Sequence, residues 1–200
     1  MKKIKLQNIF FVTALVLSSF SCTNDKKPIH EVPEAKDFWE LFVVSYESGD
    51  KEMLLNCFSQ PHSELIQAYA ESESVKALFI KKMISRFGRE GILSFNDHDV
   101  VGGSVLIWPS IFSEMSPLVI QRSGRKVILD DGYGWRITIT KDSDGQYRIS
   151  NADESFGGHD INRLKRETVS YRLGLKELSV ESTRFEDISS LRSKIFDKIN

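Results

Sequence analysis

The most polar stretch of any predicted strand in this chain reads NDHD, residues 96–99. Alternation along a strand sends Asp97 and Asp99 to one face and His98 to the other. Two carboxylates side by side can share one proton or hold a hard cation. A histidine turned into a pocket can act as a general base near neutral pH. With Trp135 these three residues form the candidate pocket. The plainer alternative is a solvated strand face, because charged side chains mostly stay in water. Other chemistry is sparse. FGGHD at 156–160 sets a glycine pair before His159, which reads first as a loop. His30 and His62 fall near prolines, and Trp108 before Pro109 reads as the end of a strand. No His/Cys metal spacing, phosphate-cradling glycine loop or nucleophile elbow occurs, so no metal or cofactor is assigned.

The elements that must position these groups fall into two blocks. Ala35, Phe38, Trp39, Phe42 and Tyr46 recur at spacings of three and four, which predicts an amphipathic helix. Gly49 is placed to end it, and Asp50 to cap a second helix running through Phe58. SELIQAY, from Ser63, predicts a short helical turn. Ser72 or Ser74 then caps a helix from Val75 to Phe87, with Gly88 as its stop. After Gly91 the pattern turns extended. ILSFNDHDVVGGSVLIW predicts two strands around Gly102-Gly103, and PLVIQRS with RKVILDD predicts a pair turning near Gly124. In GWRITITKDSDGQYRIS, Trp135, Ile137 and Ile139 alternate with Arg136, Thr138 and Thr140, and the turn falls at Asp142–Gly145. One face is apolar and the other polar, as in an antiparallel sheet covered on one side.

Beyond Ser155, Ile161, Leu164, Thr168, Tyr171 and Leu175 keep helical spacing after a possible cap at Asp160. TVSYRLGL also fits a strand, and Gly174 argues against a long helix. Ile188, Leu191, Ile195 and Ile199 predict a final amphipathic helix. Its stripe either packs back on the domain or meets a partner.

Helices first, with FWELFVVSYESGDKEMLLNCF, then antiparallel strands ending in the Trp-containing hairpin with its Asp-Gly turn, resemble the nuclear transport factor two-like (cystatin-like) fold. The resemblance spans roughly residues 35–154 and rests on element order. It implies an α+β fold in which N-terminal helices pack on a curved antiparallel sheet, a cystatin-like cone, here with a C-terminal extension. Many small bacterial lipoproteins share this fold. Some relatives are isomerases or dehydratases, and many bind ligands or proteins without catalysis. An isomerase-like site wants a buried acid beside a tyrosine donor. Asp131, Tyr133 and Tyr147 are of the right types, but no spacing joins them.

The N-terminus supplies an address. Lys2, Lys3 and Lys5 precede an apolar run from Ile9 to Leu17, the order of a secretory signal. The run is shorter than the ~20 residues a membrane-crossing helix needs. Ser18, Ser19 and Ser21 then lead to Cys22, which resembles the processing site of bacterial lipoproteins, with Ser19 where that family usually has Leu. The resemblance implies a lipid-modified, N-terminal Cys22, carrying palmitate or a similar acyl chain. Two or three acyl chains hold a protein to a bilayer stably, where one does not. An ordinary signal cut nearby and an uncleaved N-terminal anchor are the alternatives. Cys57, the second cysteine, then has no disulfide partner and reads as a buried thiol.

Removing the leader takes away three lysines and no acid, so the net charge moves from −1 to −4. With no dominant basic patch in sequence, nucleic acid is not expected as a partner. The divisions are residues 1–21 as signal peptide, 22–34 as polar tether, 35–154 as the α+β domain and 155–200 as the partly helical extension. The expected function is that of an exported lipoprotein of the bacterial cell envelope. Its domain is expected to be non-catalytic and to bind a small apolar ligand or another envelope protein. The alternatives are a pocket enzyme doing proton-transfer chemistry and a structural or assembly subunit working through its last helix.

Overall fold

A computed structural model describes residues 26–96, 117–130, 136–152 and 160–199. The fold is α+β, with helices packed on an open five-stranded antiparallel sheet. The helices are α1 (Pro33–Ser48), α2 (Lys51–Leu55), α3 (Glu64–Asn96), α4 (Ile161–Leu178) and α5 (Ile188–Ile199). The strands are β1 (Lys27–Pro28), β2 (Leu118–Ser123), β3 (Lys126–Asp130), β4 (Arg136–Lys141) and β5 (Tyr147–Ile149), hydrogen-bonded in chain order. No described helix is long and apolar enough to cross a membrane.

The sheet is built by alternation. Val119 lies opposite Leu129, and Leu129 opposite Ile137. Val127 lies opposite Ile139, and Ile139 opposite Ile149. These two rows of branched side chains form one buried face. Against it pack Phe38, Trp39 and Phe42 of α1, Ile66 and Tyr69 of α3, and Phe58 from the α2–α3 connection. The segment read as a tether joins the fold at Lys27, and Ile29 and Val32 are already in the core. The outer edge of β5 is closed: Ile149 donates its N–H to the Cys57 carbonyl at 2.8 Å and accepts from Ser59 N–H at 3.0 Å. Cys57 is fully buried there, and burial pushes its thiol up to about 11.

Local chemistry explains the helix ends. Gly49, at φ +72°, follows α1. Asp50 Oδ1 accepts from Glu52 and Met53 N–H at 2.9 and 3.1 Å, so α2 starts at its expected cap. Asp160 caps α4 through Asn162 N–H at 3.0 Å. α2 ends at Leu55, short of the predicted Phe58.

Three sequence expectations are corrected. α3 starts at Glu64, so SELIQAY is its first part, and Ser72 and Ser74 lie buried inside the helix rather than capping one. Serine favours caps because its hydroxyl competes for backbone groups. Here small size decides, since neither hydroxyl has a hydrogen-bond partner among the described residues. Gly88 does interrupt the helix, at φ +69° and ψ −169°, a backbone state glycine adopts without cost. The chain then turns helical again through Asn96, so Ile92–Asn96 is not a strand. Ile92 and Phe95, three apart, are both buried on the helical period. Third, TVSYRLGL is helical throughout and Gly174 sits inside α4.

α3 and α4 run side by side in the same direction: Glu64 meets Lys165, Glu71 meets Arg172, and Phe79 lies against Gly174. A second core forms farther along α3, where Phe79, Ile80, Met83, Ile92 and Phe95 meet Tyr171 and Leu178 of α4. Ile188, Leu191, Ile195 and Phe196 of α5 complete it, so the apolar stripe of the last helix is buried inside the fold. A β-carbon on Gly174 would sit 2.6 Å from Phe79 Cε2 and 2.9 Å from Ile195 Cδ1. Gly174→Ala would ordinarily gain about 1 kcal/mol of helix propensity. Overpacking at this contact costs about 1–3 kcal/mol. We therefore expect Gly174→Ala to lower stability in urea unfolding; an increase would mean that the contact is not tight.

The β4–β5 turn carries its own electrostatic tie. Arg148 bridges Asp142 at 2.9 Å and Asp144 at 2.6 Å. The Arg148 hydrogen bond, and a further one from Gln146 N–H, hold the Asp144 carboxyl down at about 2. Unfolded aspartate titrates near ~3.9. The contribution is therefore complete above pH ~4 and lost as pH falls toward ~2. The thermal stability advantage of wild type over Asp144→Asn should shrink between pH ~4 and pH ~2. A margin constant across that window would show that the bridge does not hold the turn.

Candidate functional site

The predicted pocket residues Asp97, His98, Asp99 and Trp135, with Cys22, lie outside the described residues. So do Trp108, Asp131, Tyr133 and His159. Tyr147 is half-buried on β5 and receives Lys141 over its ring at 5.9 Å. Thr138, read as facing water, is buried, and its N–H donates to Asn151 Oδ1 at 2.7 Å. His30 and His62 are exposed. Among the described residues no group of three or more His, Cys, Asp or Glu is placed to hold a metal ion.

A different set comes together on the helices. Between α2, α3 and α4 lies a surface groove of about 420 Å³. Its apolar wall is made by Ala68 and Val169, the latter 58% exposed. Its charged rim holds Lys51, Glu64, Glu71, Lys165 and Arg172. Glu71 stands between two cations, Lys51 at 3.1 Å and Arg172. Lys165 closes on Glu64 at 3.0 Å. The groove follows from register: Glu64 and Glu71 are seven apart on α3, Lys165 and Arg172 seven apart on α4, and parallel helices bring the pairs level. Val169 falls between the two cations on the same face of α4.

Elsewhere on α3 the helices bury a polar cluster. Tyr46 of α1 donates to Glu73 Oε2 at 2.5 Å, and Lys76 donates to Glu73 Oε1 at 2.7 Å. Both Tyr46 and Glu73 are almost fully buried. Burial, then the neighbouring Glu73 charge, raises the Tyr46 and Tyr69 hydroxyls well above the ordinary tyrosine value. Tyr171 is raised by burial and by Glu167 and Glu73. This is a buried acid beside a tyrosine donor, the combination sought in the strands but found between helices. Tyr46 and Glu73 lie twenty-seven residues apart in sequence, and no local motif announces the pair. Neither residue lines the groove. With both carboxylate oxygens engaged, the cluster serves to join α1 to α3.

Comparison with protein-family models, with curated proteins and with solved structures finds no significant match to this chain.

A hydrogen bond to a charged group contributes about 1.5–3 kcal/mol. Tyr46→Phe keeps the ring and removes only the donor. It should lower stability in urea by about that amount with the fold retained by circular dichroism. A neutral result would show that Lys76 alone satisfies Glu73.

Proposed function

We propose that this chain is an exported lipoprotein, held to the bacterial envelope by acyl chains on Cys22, whose non-catalytic α+β domain binds another envelope protein. The observation that carries the reading is where space is left. The interval between sheet and helices is occupied by Phe38, Trp39, Phe42, Phe58 and Tyr69. A concavity of about 420 Å³, the α3–α4 groove, lies instead on the outer surface. An apolar centre ringed by charges of both signs is the anatomy of a protein–protein contact. Its openness favours a protein partner over a small apolar ligand, which is normally mostly enclosed. The helices-first order and the strand meander covering α1 support the cystatin-like arrangement. The proton-transfer alternative rests on Asp97, His98 and Asp99, and the buried Tyr46–Glu73 pair adds no accessible site to it. An assembly role through the last helix would need an apolar stripe that α5 instead buries.

A photo-crosslinking residue placed at Val169 in the full chain, activated in intact cells, should give a protein adduct identifiable by mass spectrometry. The same residue at exposed Ser193 should not. A lipid-sized adduct would favour the apolar-ligand reading. No adduct at Val169, or the same adduct at both positions, would contradict the groove as the binding surface.

A further inference from the structure

Two helix faces of this chain are open to solvent and opposite in charge. The first belongs to the groove. The exposed side chains of α4 are Asn162, Lys165, Arg166, Val169, Arg172 and Lys176, with no acid among them. Lys51 adds a cation to the rim, and Glu64 and Glu71 of α3 are the acids facing it. Bases outnumber acids here, in a chain whose total charge is −1. At the centre of this face Val169 is 58% exposed.

The second face is on α1. Leu41 and Val44 lie three residues apart, hence on one side of the helix, and are 44% and 55% exposed. Asp37 and Glu40, each one turn before an aliphatic, are exposed, and Glu47, one turn after Val44, is half-buried. Lys36 reaches Glu40 at 3.6 Å on the open surface, and Lys141 shares a concavity with Asp37. Acids still outnumber bases on this side.

The two faces match in spacing as well as in sign. Glu40, Val44 and Glu47 are set four and then three residues apart, as are Lys165, Val169 and Arg172. Crossing one helix on the other sets aliphatic on aliphatic with acid over base on either side. Complementary charge of this kind fixes partner and register.

We propose that the occupant of the groove is a second copy of this chain, which lays Leu41 and Val44 of its α1 on Val169, with Asp37 and Glu40 toward the cations of α4. The proposal rests on the groove as a protein-binding surface and names the protein that fills it. Every copy carries both faces, so one pair can make the contact in each direction. A contact of about two helical turns falls below the ~1,200 Å² of a standard interface, in the range of transient complexes. Trapping is therefore the suitable test.

Two full-length copies with different tags are expressed together, one with Val44→Cys and the other with Val169→Cys. Mild oxidation of intact cells should join them into a disulfide dimer carrying both tags. Pairing Val44→Cys with Ser193→Cys, on exposed α5 surface, should give only background. Lys165→Glu with Arg172→Glu in the Val169→Cys copy should cut the dimer about fivefold, the worth of two exposed ion pairs. Asp37→Lys with Glu40→Lys in the other copy should then restore it, a rescue that a misfolded variant would not show. No dimer above background, or a dimer indifferent to both charge reversals, overturns the proposal. The photo-crosslinker at Val169 reads the underlying surface separately. An adduct with a different protein and none with this chain sinks self-pairing and leaves the groove a binding surface. No protein adduct at all sinks both.

Discussion

The packing of Phe79 against Gly174 is the contact on which the rest of the arrangement depends. It lets the backbone of α4 approach α3 closely and sets the two helices level along their length. Ser72 and Ser170, both fully buried, contribute the same small size on these helices. Because α3 also contributes Ile66 and Tyr69 to the core under the sheet, one helix takes part in both apolar clusters. The groove is a consequence of this geometry. Its ion pairs are half-exposed and individually weak, of order ~0–1 kcal/mol each. They define the rim and its specificity, while the apolar contact holds the helices.

Chemistry and space are separated in this molecule. The most perturbed titratable groups, Tyr46, Tyr69 and Tyr171, are sealed between helices around Glu73. Buried ionised groups need this degree of satisfaction, since an unpaired charge there is strongly destabilising. Perturbed values often mark active sites, but structural networks produce them too. Here neither Tyr46 nor Glu73 lines the α3–α4 groove and both Glu73 oxygens are engaged, which places the pair's role in holding α1 on α3. A surface feature carries the functional reading instead: the two-sign groove on the helices.

Much of the local architecture was legible from residue pattern. The apolar period of α1, the caps at Asp50 and Asp160, the two hairpins and the stripe of α5 follow from side chains that act within a few residues of one another. What failed depended on contacts distant in sequence. Serines at 72 and 74 suggest a helix start, but both lie buried inside α3. Gly174 suggests a helix end, yet Phe79, ninety-five residues earlier, needs the room. Gly91 and β-branched Ile92 suggest a strand, while burial of Ile92 and Phe95 against α5 selects a helix. The groove could not be foreseen, because Glu71 and Arg172 meet only once two helices a hundred residues apart are set in parallel. The sites chosen from the sequence, Cys22, Asp97, His98, Asp99 and Trp135, fall outside the described residues.

The central claim is that α4 is locked to α3 throughout the native state, so that the groove is a permanent surface. Native-state hydrogen exchange tests it most directly. Amides of α4 around Thr168–Tyr171 and of α3 around Ala77–Ile80 should exchange with the same free energy, equal to that of global unfolding. Exchange of α4 at a clearly lower free energy than α3 would show that it opens on its own, and the groove would then be a transient feature rather than a built surface.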